Sequence, residues 1–193
     1  MPKSNTEKKV NEAKYFLRLL EEHSPKKTSK QEEFNYLLNA FVCSARSITW
    51  VMKAEFNSIK GWKTWYNLRK ADQKEEKILK LFNKMRIETT KKKPLTTIYA
   101  VTFKIPFGNY TDADIKKLKS YVKNKQKVDM ILGKNNSSEE PNKLKFKNVK
   151  VSNITYPIEG HSNADAFYLC KKYYKLLDKL ASECLEKFGK YIT

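Results

Sequence analysis

A cluster of charged residues near position 90 is the first candidate for chemistry in this sequence. Arg86, Glu88, Lys91, Lys92 and Lys93 follow one another closely at the end of an apolar helical pattern. Cations at a helix C-terminus stabilise the helix through its dipole, so the run has a structural interpretation. The same cations can also bind phosphate. We predict a phosphate- or RNA-binding site formed by Arg86 and the three lysines, with Glu88 as a supporting residue.

Arg46 and Glu55 are two further supporting candidates, and both belong to the pattern of one long helix. They stand nine positions apart, or about two and a half turns, so they lie far round that helix from each other. An arginine that faces the inside of a helical bundle usually pairs with a carboxylate. We therefore expect Arg46 to have an acidic partner.

The aromatic residues and the cysteines have simpler structural interpretations. Trp62, Trp65 and Tyr66 could stack on nucleic-acid bases, but a short helix that packs its rings over the end of a bundle is favoured. The cysteines fall within apolar helical patterns, which predicts small core residues rather than a disulfide framework. They are Cys43, Cys170 and Cys184.

Most catalytic sites are excluded by what the chain lacks. His23 and His161 are the only histidines, and neither has a second His or Cys at metal-ligand spacing. The 5 glycines are scattered, so they form no phosphate-binding loop, and no Gly-x-Ser-x-Gly motif is present. The sequence therefore predicts no metal, no cofactor and no clear catalytic residue.

The composition indicates a basic protein without a membrane segment, and its charge is compatible with a nucleic-acid partner. The chain has 193 residues, with 40 Lys and Arg against 21 Asp and Glu, a net charge of +19. A positive surface attracts nucleic acid, although a solvated lysine-rich surface also explains the charge. No apolar run approaches the ~20 residues of a membrane span, and the N-terminus lacks a secretory signal. We expect a cytoplasmic protein with no membrane segment.

Capping signals and apolar periodicity predict the elements that position these residues. Ser4, Ser29, Asp72 and Ser162 each precede an acidic residue three positions later, as at a helix N-terminus. Helices are expected over about 4–23, 29–56, 62–68, 72–93 and 162–190. Alternating patterns predict strands over about 97–105, 128–132, 144–151 and 154–158, with a short helix over 111–124.

These elements predict a mainly α fold. Helices over 1–93 and 161–193 form an up-and-down helical bundle. The stretch 94–160 is a small β-rich insertion before the last helix, which makes the chain α+β overall.

Several stretches resemble prokaryotic HEPN-type helical bundles. They are Ser44–Val51, Lys53–Phe56, Trp65–Tyr66, Leu81–Arg86 and, in the last helix, Asp165–Tyr174. The resemblance covers about 5–93 and 162–190 and leaves the insertion outside. It implies a helical bundle and a homodimer. It also implies descent from a family in which many members are endoribonucleases of toxin, antiphage or RNA-processing systems.

The resemblance also implies a position for the ribonuclease motif. Active members carry an Arg, often followed by a polar residue, with a His four to six positions later. By resemblance that Arg is Arg86, but Ile87 follows it, and Thr90, Lys91 and Lys92 stand where the His would be. A lysine with an ordinary pKa is a poor general base near neutral pH.

Three functional hypotheses follow. The leading one is a degenerate HEPN-like protein, a binding module rather than an enzyme, which forms a homodimer and binds RNA or a protein partner. The second is a metal-independent endoribonuclease that uses Arg86 with Lys91 or Lys92. The third is a structural protein that recognises a partner through the insertion, because a sheet so small exposes its strand edges.

Overall fold

Long amphipathic helices dominate the structure. The computed structural model describes residues 4–25, 30–69, 73–104, 111–113, 116 and 150–192. The first four helices are α1 (Asn5–Glu22), α2 (Gln31–Phe56), α3 (Trp62–Leu68) and α4 (Gln73–Lys91). After the strands comes the last helix, α5 (Ala166–Phe188). The mainly α fold with a small β region before the last helix is confirmed.

The strands form two small antiparallel pairs. Strand β1 (Ala100–Lys104) pairs with β2 (Lys150–Thr155), with a register shift between Thr102 and Phe103. Strand β3 (Pro157–Ile158) pairs with β4 (Ser162–Asp165) in a tight hairpin. The predicted strand over 128–132 lies outside the described residues, as do residues 144–149 of the strand predicted over 144–151 and most of the predicted helix over 111–124.

The chain divides into two compact units. The first comprises Met1–Ile98 and Tyr156–Thr193, and the second comprises Tyr99–Thr155. The predicted insertion runs from 94 to 160, and within the first unit the two segments next to its ends pair with each other. Thr97 bridges to Ile158, and the Ile98 amide donates to the Pro157 carbonyl at 2.9 Å.

The core of the first unit is built from the stripes of apolar residues predicted for each helix. Helix α2 packs against α1, α4 and α5. The Phe82 ring stacks on Tyr173 at 4.0 Å between ring centroids, and Phe41 meets Phe82 edge to face at 6.3 Å. Burial of such rings supplies the main driving force for this arrangement. In the described part of the chain, no helix combines the length and the apolarity that a membrane span requires.

Two of the predicted helix starts can be tested against the structure. The Ser4 hydroxyl caps α1 by accepting a hydrogen bond from the Glu7 amide at 3.0 Å, as predicted. The predicted start of the last helix at Ser162 is wrong, because Ser162–Asp165 is strand β4. Asp165 is the N-cap instead, and its carboxylate accepts from the Tyr168 amide at 3.0 Å. Ser29 and Asp72, the other predicted starts, lie outside the described residues.

Candidate nucleic-acid interface

Helices α2 and α4 bring two arginines to one tryptophan. The guanidinium carbon of Arg86 lies 4.2 Å from the centroid of the Trp50 ring, and that of Arg46 lies 5.1 Å from it. Arg46 and Trp50 are four positions apart, so they share one face of α2. Arg86 reaches the same indole from α4. We call these three residues the Arg46–Trp50–Arg86 cluster.

Arg86 has no protein acceptor for its hydrogen-bond donors within the described residues. It is half-buried, and its contact there is with the Trp50 ring. A guanidinium carries five N–H donors in a planar fork that matches carboxylate or phosphate oxygens. Since a half-buried charge without a counter-ion is unfavourable, the arrangement favours binding of an external anion.

Arg46 bonds to neutral oxygens, where a carboxylate was expected. Its Nε donates to Asn83 Oδ1 at 3.2 Å, and a terminal nitrogen donates to Thr49 Oγ1 at 2.5 Å. No carboxylate partner of Arg46 occurs in the part of the chain that the structure describes. These amide and hydroxyl partners orient the guanidinium but supply no counter-charge, so neither arginine of the cluster has a counter-ion among the described residues.

The field of the two arginines reaches neighbouring titratable groups. Burial raises the pKa of the Cys43 thiol, and the charge of Arg86 acts against that rise. Burial likewise raises the pKa of Tyr66, and it raises the pKa of Tyr173 to about 12. In both cases the positive charge of Arg46 opposes the rise but does not cancel it. An elevated pKa keeps Cys43 protonated near neutral pH, which makes it a poor nucleophile.

The lysines that follow Arg86 do not lie on the same side of α4 as Arg86. At about 100° per residue, Lys91 lies about 140° around α4 from Arg86. Lys92 is in the turn after the helix, and Lys93 approaches Glu88 at 3.9 Å. All three lysines are exposed. The structure therefore does not bring the predicted set of Arg86, Lys91, Lys92 and Lys93 together at one point.

Glu88 belongs to a separate contact with His161. Glu88 Oε2 lies 2.8 Å from His161 Nε2, and the imidazole side chain is only 2% exposed. Since Glu88 is two positions after Arg86, it lies about 160° away around the helix. This pair attaches the turn between β3 and β4 to α4. Sequence reasoning could not place His161 there, because the two residues are far apart in the chain.

Glu55 caps a helix and lies apart from the cluster. Its two carboxylate oxygens accept from the backbone amides of Asn5 at 2.8 Å and Thr6 at 2.9 Å. These are amides of the first turn of α1, which have no acceptor within their own helix. Glu55 therefore has a structural role.

The short aromatic helix α3 contributes its rings to the core, as expected. Trp62 and Trp65 are 2% and 7% exposed, and Tyr66 stacks on Trp62 at 4.9 Å. The Trp62 ring N–H donates to the buried Cys184 sulfur at 3.2 Å. Cys170 is also buried, and all three cysteines, including the half-buried Cys43, are free thiols.

A cavity of about 690 Å³ opens between α2, α3, α4 and α5. Leucines of α4 and α5 form its apolar lining, and Arg69 at its edge pairs with Glu183 at 3.0 Å. The Arg69 charge is thus balanced by a carboxylate, unlike those of Arg46 and Arg86. The cavity is therefore less suited than the cluster to binding an anion.

Trp50 is the site residue that sequence reasoning missed. Its spacing of four from Arg46 was a usable signal, but the approach of Arg86 depends on how α2 and α4 pack.

Among the described residues, no three His, Cys, Asp or Glu side chains lie close enough to hold a metal. No protein-family model, curated protein or solved structure matches this chain.

Proposed function

We propose that this protein binds RNA through the Arg46–Trp50–Arg86 cluster and does not cleave it. One observation carries the proposal. Arg86 is held over an exposed tryptophan with its hydrogen-bond donors unused by any described residue. A phosphate group would accept from this guanidinium in the bidentate geometry that arginine favours.

The charge of the whole chain supports the same partner. A net charge of +19 attracts a polyanion over long distances, and neutralised phosphates release counter-ions that favour binding. Exposed lysines of the described helices, such as Lys63, Lys84 and Lys91, contribute to this general attraction. The cluster adds two oriented guanidiniums at one place.

Binding without cleavage is the better-supported form of the proposal. A ribonuclease needs a group that takes a proton from the attacking hydroxyl. Lys91 lies about 140° around α4 from Arg86, and the pKa of the nearby Cys43 thiol is raised. Neither supplies a base beside Arg86. The chain is in this view a degenerate HEPN-like protein that acts in the cytoplasm and forms a homodimer, as the resemblance implies for the dimer.

The salt dependence of RNA affinity tests the proposal. The affinity for a labelled single-stranded RNA of mixed sequence is measured by fluorescence anisotropy, without metal, between about 50 and 200 mM KCl. Each phosphate contact on a single strand contributes about 0.7 to the slope of log affinity against log salt. Arg86→Ala should lower the slope by about that amount and weaken binding about tenfold.

A matched variant and a parallel gel complete the experiment. Lys84→Ala removes one charge from the same helix, about 160° away from Arg86, and should leave the slope almost unchanged. If Arg86→Ala and Lys84→Ala behave alike, the cluster is not the binding site. A large loss of slope in a Lys91, Lys92 and Lys93 triple-alanine variant would move the site to the helix end. RNA cleavage that Arg86→Ala abolishes would make the protein a ribonuclease.

A further inference from the structure

Trp50 differs from the other two tryptophans of the chain. Its side chain is 41% exposed, whereas Trp62 is 2% and Trp65 is 7% exposed. Large aromatic side chains are usually buried because their burial is strongly favourable. An indole on the surface beside two arginines that have no carboxylate partner in the described ranges is therefore a feature to explain.

The groups around Trp50 have complementary chemistry. The indole is 41% exposed, so part of its apolar, planar surface is accessible beside the two guanidiniums, and Arg86 offers unused donors 4.2 Å from the ring centroid. Asn83 lies next to them, where its side-chain oxygen accepts from Arg46. Its side-chain amide nitrogen donates to no acceptor within the described residues. A ligand that used all of these groups would combine a planar ring, an anion and a hydrogen-bond acceptor.

A nucleotide unit has these three properties. We propose that Trp50 stacks on an unpaired base while Arg86 binds an adjacent phosphate, so that the ligand is single-stranded RNA and not duplex. This inference rests on the proposed function and names the class of RNA. In a duplex the base faces are already stacked on each other, and an indole on a helix surface reaches them only by separating base pairs. In a single strand they are accessible.

The fluorescence of the protein reports on this site. Because the other two tryptophans are buried, the emission that a bound base can quench comes from Trp50. Wild type is titrated with a single-stranded RNA, with the duplex of the same sequence and with a strand of the same length that lacks bases. Trp50→Phe measures the contribution of the two buried tryptophans, and Trp50→Leu removes the ring.

The expected result separates base stacking from phosphate binding. The single strand should quench wild-type emission, and this quenching should be missing in Trp50→Phe. Trp50→Leu should weaken binding of the single strand about tenfold. It should weaken binding of the duplex and of the base-free strand less, because these ligands lose only the ring contact that holds Arg86 and no stacked base. Circular dichroism of each variant checks that it is folded. We expect both variants to fold, because substitutions at exposed positions usually change stability little.

Two results would overturn the inference. If RNA binds with the Arg86-dependent salt slope but Trp50 emission does not change, the stacking site is wrong and the proposed function survives. The same conclusion holds if Trp50→Leu weakens all three ligands equally. If none of the three ligands binds, both the stacking site and the proposed function fail.

Discussion

Glu55 offers a sharp test of the roles assigned to the predicted site residues, because replacing it should lower stability and spare RNA binding. Its carboxylate accepts from the Asn5 and Thr6 amides at 2.8 and 2.9 Å. A hydrogen bond to a charged group contributes about 1.5–3 kcal/mol, and less where water competes, as at the exposed Asn5 amide. A favourable charge at a helix N-terminus adds about 0.3–1 kcal/mol.

We expect Glu55→Ala to lower the free energy of unfolding by about 2–3 kcal/mol. For a chain of this size that corresponds to a decrease in Tm of about 5–10 °C. Glu55→Gln keeps an acceptor oxygen but loses the charge, so its effect should be smaller. The measurement is urea and thermal unfolding followed by circular dichroism, together with RNA affinity at a temperature where all variants are folded.

Glu12→Ala is the matched control. Glu12 is an exposed glutamate of α1 that pairs with Lys9 at 2.6 Å, and exposed pairs of this kind contribute little to stability. If Glu55→Ala is no less stable than Glu12→Ala, the capping role is refuted. If Glu55→Ala instead binds RNA as poorly as Arg86→Ala while it remains folded, Glu55 belongs to the site after all.

Two further predictions follow from the pKa shifts. The charge of Arg86 lowers the pKa of Cys43, although burial raises it overall. Arg86→Ala should therefore move the pH midpoint of Cys43 alkylation upwards, and Arg86→Lys should move it less; equal midpoints would contradict the assigned proximity. Burial raises the pKa of Tyr173 from 10 to about 12. The unfolded state therefore loses its proton first, and stability should fall as the pH rises from about 10 to 12. Tyr173→Phe should show a smaller fall in urea-unfolding stability between about pH 9 and about pH 11, and an unchanged fall would contradict the shift.

The helices could be predicted from local sequence because their determinants are local. Apolar residues recur along each helix at a spacing of three and four, and that stripe fixes both the element and its buried face. Ser4 shows the same principle, since its cap depends on a neighbour three residues away. At Ser162 the same pattern misled, because pairing with β3 holds that residue in a strand and leaves Asp165 to cap α5.

The candidate site could be predicted only in part, because its contacts join distant segments. The sequence identified Arg46 and Arg86 separately, but not their common contact with Trp50. That contact depends on the register between α2 and α4, which no local pattern encodes. The cap that Glu55 forms on α1 and the pairing of His161 with Glu88 also depend on how segments distant in the chain pack together. Proximity along the chain instead suggested grouping Arg86 with the lysines, although successive helical residues point in different directions.

The four arginines of this lysine-rich chain give the strongest argument for the site. Each lies over an aromatic ring, within 6 Å of a ring centroid. Arg18 and Arg69 also pair with carboxylates, at 2.9 and 3.0 Å. Arg46 and Arg86 have no such partner among the described residues, and both lie over the same exposed indole. A lysine would carry the charge but not the planar, stacking donor fork. Two guanidiniums oriented around one indole without a carboxylate therefore favour an anion that comes from outside the chain.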